Sequence, residues 1–184
     1  EISLGLVGSE MCIRDRDWYY FSKEDGMKTG WVKDGSWYYL DETGVMKTGW
    51  KQVDGNWYYL NGSGAMETGW KFINGSWYHF DSLGKMGTRW IKDNGTWYYL
   101  DGSGAMQTGW KFVDGNWYYL NASGAMQTGW LNQGGTWYYL ASSGAMKTGW
   151  FQVAGKWYYS YSSGALAVNT TINGYTVNAN GEWV

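Results

Sequence analysis

From residue 17 onward, aromatic residues, glycines and polar residues recur on a fixed period. A Trp opening a Trp-Tyr-Tyr or Trp-Tyr-His triplet falls at 18, 37, 57, 77, 97, 117, 137 and 157. A second Trp, preceded by Gly or once by Arg, falls at 31, 50, 70, 90, 110, 130 and 150. The step is 20 residues except for one of 19, which marks a single supersecondary unit copied in tandem rather than one global core. Between the two Trp of each unit lies a turn dipeptide: Asp34-Gly35, Asp54-Gly55, Asn74-Gly75, Asn94-Gly95, Asp114-Gly115, Gly134-Gly135 or Ala154-Gly155. Asn-Gly and Asp-Gly suit the two positive-φ positions of a type I′ turn, so each unit is expected to be a β-hairpin with aromatic-rich strands. The D/N-x-x-G stretches that follow, such as 101–104 and 121–124, read as connecting loops. One hairpin cannot bury both its faces, so the expected class is all-β, a solenoid of stacked hairpins.

Register sorts the aromatics between faces. With Asp114-Gly115 at the turn, Val113 pairs with Asn116, Phe112 with Trp117, Lys111 with Tyr118 and Trp110 with Tyr119. Side chains alternate along a strand. Trp110, Trp117 and Tyr119 therefore share one face, while Lys111, Val113 and Tyr118 share the other.

Composition narrows the function. The chain holds 16 Trp, 17 Tyr, 29 Gly and no Pro, with mean hydropathy −0.50, unlike a core built on Leu, Ile and Val. A net charge of −2 gives no basic footprint for nucleic acid or an anionic membrane, and no apolar run approaches the length of a bilayer span. Cys12 is the only cysteine, so no internal disulfide supports the fold. No Ser/His/Asp set, metal-spaced ligands or paired carboxylates stand out; Asp34, Asp54 and Asp114 are turn residues, and neither catalytic residue, metal nor cofactor is expected.

Residues 1–16 share nothing with the repeats and lack the basic start and apolar run of a signal peptide. The string LVGSEMCIRDR resembles translated adapter sequence, so this leader is expected to be artefactual, with an upstream Gly-Trp strand missing before Trp18. Residues 17–165 form the repeats, and 166–184 a C-terminal capping hairpin.

The pattern GWxxxxGxWYYLxxxGxMxTGW, covering about 165 of the 184 residues, resembles the choline-binding, or cell-wall-binding, repeat of autolysins and surface proteins of choline-decorated Gram-positive bacteria. The last stretch, LAVNTTINGYTVNANGEWV, resembles the closing segment of surface-protein-A-type members. The resemblance implies a left-handed β-solenoid in which each choline sits between consecutive hairpins, held by two Trp of one, an aromatic of the next, and a nearby Met.

Carried onto this chain, it implies sites at Trp70 and Trp77 with Tyr99, Trp90 and Trp97 with Tyr119, Trp110 and Trp117 with Tyr139, and Trp130 and Trp137 with Tyr159. The second Tyr of each triplet is preferred because it shares a face with the Trp residues. Met46, Met66, Met86, Met106, Met126 and Met146, each nine residues after a triplet Trp, are either fourth walls or plugs between hairpins. The Trp rings themselves could serve as packing between repeats, although Val or Leu would fill a core as well.

Three sites depart from the pattern. Trp50 and Trp57 are expected to meet His79, a wall substitution rather than a metal ligand or base because no second ligand accompanies it; a protonated His79 would weaken that site in acid. Trp31 and Trp37 are six rather than seven residues apart. A two-residue turn would then put them on opposite faces, so either a bulge restores the site, which would use Tyr59, or the site is malformed. At the C-terminal end, Trp183 aligns with the Met position, and the site of Trp150 and Trp157 must borrow Tyr175. Arg89 replaces the Gly before Trp90, from which we expect no requirement for positive φ there.

The expected function is a non-catalytic module that anchors a secreted surface protein, non-covalently, to choline or phosphocholine on teichoic and lipoteichoic acids. The alternative is a carbohydrate-binding module, since glucan-binding repeats use similar hairpins; a structural spacer is a third reading. Nucleic acid and direct membrane insertion are not expected, and the sequence leaves open whether the solenoid forms a homodimer.

Overall fold

A computed structural model describes residues 10–14, 17–22 and 24–184. Every strand belongs to a local antiparallel pairing, and no helix occurs among the described residues. The first hairpin joins β1 (Glu10–Arg14) to β2 (Asp17–Ser22), which also pairs with the short β3 (Gly26–Met27). The repeats follow as β4 (Gly30–Asp34) with β5 (Ser36–Leu40), β6 (Gly49–Val53) with β7 (Asn56–Leu60), and β8 (Gly69–Ile73) with β9 (Ser76–Phe80). Next come β10 (Arg89–Asp93) with β11 (Thr96–Leu100), β12 (Gly109–Val113) with β13 (Asn116–Leu120), and β14 (Gly129–Gln133) with β15 (Thr136–Leu140). The last are β16 (Gly149–Val153) with β17 (Lys156–Ser160), and the cap β18 (Thr170–Ile172) with β19 (Tyr175–Val177). The array divides into two compact units, Glu1–Thr88 with Gly102–Ala105, and Arg89–Asp101 with Met106–Val184.

The turn chemistry acts as expected. Asp114 and Gly115 take φ +48° and +84°, and Asp54, Asn74, Asn94 and Gly134 likewise precede a positive-φ glycine. Ala154 is the exception in kind, holding φ +48° with a Cβ that crowds the backbone there. Replacing Ala154 by Gly should stabilise the chain by about 1 kcal/mol, read as a higher urea midpoint.

Where Asp or Asn opens a loop, its side chain organises the turn; Ala141 and Tyr161 stand at that position in two others. Asn121 Oδ1 accepts from the backbone N–H of Ser123 and Ala125 at 2.9 and 3.0 Å and from the Ser123 hydroxyl at 2.7 Å. Asp41, Asn61, Asp81 and Asn178 do the same in their loops. The Lys47 ammonium and the Thr43 hydroxyl hold the Asp41 carboxyl well below the usual carboxylate range.

Between loops run the links that stack one hairpin on the next. Met126 N–H donates to Trp97 O and Met146 N–H to Trp117 O, both at 2.8 Å, and the pattern repeats in the other unit at Met66 with Trp37 and Met86 with Trp57. The Leu ending each triplet strand is the core: Leu40, Leu60, Leu100, Leu120 and Leu140 are fully buried, with Phe80 and Val177 in equivalent places. Each such side chain stabilises by roughly 1.5–3 kcal/mol. Ser160 takes this position in β17, and its buried hydroxyl lacks a hydrogen-bond partner.

Two expectations change. The short unit needs no bulge: Trp31 still pairs with Tyr39 and Lys33 with Trp37, because Asp34 joins the ladder opposite Ser36 and the turn shrinks around Gly35 alone. Both Trp therefore stay on one face. Arg89 does adopt positive φ, at +63°, like the glycines it replaces, so the position requires that conformation after all. Its guanidinium reaches Asp114, at the turn of the following hairpin, with two contacts of 3.0 and 2.7 Å. Of the leader, 1–9 and 15–16 lie outside the described residues, but Glu10–Arg14 occupies the strand position assigned to the missing Gly-Trp segment, with Met11 opposite Tyr20 where other hairpins carry Trp.

Candidate binding site

Two faces of unlike composition meet wherever hairpins stack. Hairpins stacked in the same sense cannot present the same face to each other; within each compact unit the Trp face of one covers the opposite face of the next. The ring of the following hairpin that packs on each leading Trp is therefore the first Tyr of its triplet. Trp31 meets Tyr58, Trp50 meets Tyr78, Trp90 meets Tyr118 and Trp130 meets Tyr158, each with centroids 4.8 Å apart, and Trp110 meets Tyr138 at 4.9 Å.

The second Tyr stays home. Tyr59, Tyr99, Tyr119, Tyr139 and Tyr159 lie edge-on to the leading Trp of their own hairpins at 4.9–5.2 Å. At two second-Tyr positions the residue at the lysine position of the following hairpin lies over the ring: Lys51 Nζ stands 5.0 Å from the Tyr39 ring, and Phe151 stacks on Tyr139 at 5.2 Å. This corrects the geometry assigned to Tyr59, Tyr99, Tyr119, Tyr139 and Tyr159 as facing walls. His79 moves for the same reason. It pairs with Trp70 of its own hairpin, with centroids 5.0 Å apart, while Tyr78 faces Trp50, so an acid-weakened site at Trp50 and Trp57 is no longer expected.

The resulting cavities are small and open on one side. Trp90, Trp97, Tyr118, Met126 and Ser143 bound one of about 240 Å³. Its Trp rings meet edge-to-face at 6.5 Å, and Trp97 is 40% exposed, a large apolar surface left bare beside a cleft. Trp130, Trp137 and Tyr158 line a second of about 380 Å³ with Leu166, which replaces Met, and Glu182. Burial, with the Asp81 and Asp54 carboxylates behind it, pushes the Tyr58 phenol up, so this ring facing Trp31 stays neutral.

Of the two places considered for the methionines, packing between hairpins is general, and lining a cavity is seen at Met126. Met126 lines the Trp90–Trp97 cavity, and it arrives from the loop after the hairpin that supplies Tyr118. Its side chain also packs on Gly144, as Met46 does on Gly64, Met66 on Gly84, Met86 on Gly104, Met106 on Gly124 and Met146 on Gly164.

Two family models match the repeats. One described as a choline-binding repeat matches 67–108, 107–151 and 128–171, and another, a cell wall binding repeat, matches 29–46 and 48–66. Among solved structures, CbpJ from Streptococcus pneumoniae TIGR4 is 47% identical with a TM-score of 0.90, over 97% of this chain and 71% of that one. The chain belongs to the choline-binding repeat family.

CbpF from Streptococcus pneumoniae is 54% identical over 91% of this choline-binding repeat chain and 61% of its own, with a TM-score of 0.86. The choline-binding domain of CbpL, from the same species, is 32% identical over 96% and 97%, with a TM-score of 0.70. This chain thus spans about three-fifths of CbpF. A search of curated protein sequences returns no match. Proteins of this family associate with the bacterial cell wall.

At the C-terminal end, the repeat is completed by different residues. Trp183 N–H donates to Trp157 O at 2.9 Å, the link made elsewhere by Met and, at Trp137, by Leu166. Tyr175, from the cap hairpin, meets Trp150 at 5.7 Å and Trp183 at 5.8 Å. Trp150, Trp157, Tyr175 and Trp183 enclose about 300 Å³ between four rings, so the cap supplies the rings the last repeat lacks. Tyr58, Tyr78, Tyr118, Tyr138 and Tyr158, the first Tyr of their triplets, were the choice the sequence reading ranked second, although the unlike faces of a repeated unit favour them.

Proposed function

We propose that this chain is a non-catalytic module that holds a secreted protein at the bacterial surface by binding choline of teichoic and lipoteichoic acids. The observation that carries the reading is the cavity of Trp90, Trp97, Tyr118 and Met126, whose walls are rings and a thioether. A quaternary ammonium has no N–H to donate, so a carboxylate cannot hydrogen-bond it, whereas ring faces offer a negative quadrupole and apolar contact for the methyl groups. At roughly 0.5–2 kcal/mol per ring, three walls give at most about 6 kcal/mol before the cost of association, so a single site is weak. Anchoring then depends on several weak sites engaging one polymer.

The test is retention on a resin of immobilised quaternary or tertiary amine, compared with retention on glucan. The protein should bind the amine resin and elute with free choline. Flow-through on the amine together with retention on glucan would overturn the proposal in favour of a carbohydrate module.

A further inference from the structure

The residue paired with each triplet Trp varies from hairpin to hairpin, and it stands on the same face as the cavity. It is Phe at 72 and 112, Gln at 52 and 152, Asn at 132, and Lys at 33 and 92. Phe112 lies 61% exposed with its ring 5.4 Å from Trp117. Lys92 Nζ stands 5.7 Å from the Trp97 ring centroid, and Lys33 Nζ 5.9 Å from that of Trp37. Both lysines are exposed.

A fixed ammonium beside a ring that is meant to hold another ammonium is, alone, unfavourable: like charges repel, and the lysine takes part of the quadrupole. The sign reverses when the ligand carries its own anion. In a choline ester of phosphate, two methylenes separate the trimethylammonium from the ester oxygen. With the trimethylammonium between Trp90, Trp97 and Tyr118, a phosphate two methylenes away leaves the cavity through its open side, within reach of the flexible Lys92 stem beside Trp97. Lysine suits it as a compact point charge on a flexible stem.

We propose that Lys33 and Lys92 are specificity residues that make the sites of Trp37 and Trp97 prefer phosphorylated choline over free choline, whereas the Phe-flanked site of Trp117 reads the ammonium alone. The inference rests on the choline reading above. It divides the repeats into two classes by one side chain.

The test is titration of the full chain with choline and, separately, with phosphocholine, followed by NMR at the indole N–H signals of Trp37, Trp97 and Trp117. Phosphocholine should be favoured over choline by about two- to fivefold more at Trp37 and Trp97 than at Trp117, the scale of one exposed ion pair. Lys92→Gln should bring the preference at Trp97 to that of Trp117 and leave Trp117 unchanged, and added salt should shrink the wild-type preference. Equal preferences at the three indoles, or a Lys92→Gln protein that keeps the preference at Trp97, would overturn the inference while leaving choline binding intact. Absence of any shift with either ligand would instead sink the choline reading.

Discussion

Gly124→Ala should lower the stability of the chain by about 2–5 kcal/mol, the sum of a left-handed alanine and an overpacked contact. Gly124 holds φ +81°, and a Cβ built there comes within 2.9 Å of Met106 Cγ, with Sδ closer still. The collision is with a side chain rather than backbone, which gives the prediction a second arm. Met106→Ala in the same chain should return the steric part of the loss and leave the backbone part, a coupling that a double-mutant cycle in urea measures. Additive losses would show that Met106 does not pack on this loop. The same Met-on-Gly contact recurs at Gly64, Gly84, Gly144 and Gly164, and Leu166 takes the Met role against Gly181.

Tyr118→Leu should weaken choline at the Trp90–Trp97 site by about two- to thirtyfold, the range for one desolvated cation–π wall. Tyr119→Leu should leave that site within about twofold, because Tyr119 lies against Trp110 of its own hairpin. Leucine keeps most of the apolar volume, so the two variants separate the loss of a ring quadrupole from loss of packing. Indole shifts of Trp97 report the affinity in each.

That contrast also shows how the sequence could be read and where it could mislead. Period, turn dipeptides and register all follow from local chemistry. Asp114-Gly115 dictates a turn of one hand, and the pairing of Trp110 with Tyr119 follows by counting. The contacts between hairpins obey a different rule. Tyr119 shares a face with Trp110 and Trp117, and that shared face is the reason it cannot face the Trp pair of a neighbour stacked in the same sense. Tyr118, on the other side, does so at 4.8 Å from Trp90. The short unit misled for a related reason: a missing residue can be absorbed at the turn, where Gly35 at φ +65° bridges Asp34 and Ser36, rather than in the ladder. Arg89 misled because substitution was taken as freedom. The backbone kept its left-handed geometry and the side chain found Asp114. The C-terminal ring cluster was legible because aligning Trp183 with the Met position uses the same link to the preceding Trp that the repeats use.

The central claim is that choline lies between the Trp face of one hairpin and the first-Tyr face of the next. Intermolecular NOEs from the choline methyl protons test it most directly. Cross-peaks are expected to the ring protons of Trp90, Trp97 and Tyr118 and to the Met126 methyl group, the walls of one cavity. Cross-peaks to Tyr119 in place of Tyr118, or none to either Trp in a sample saturated with choline, would contradict it.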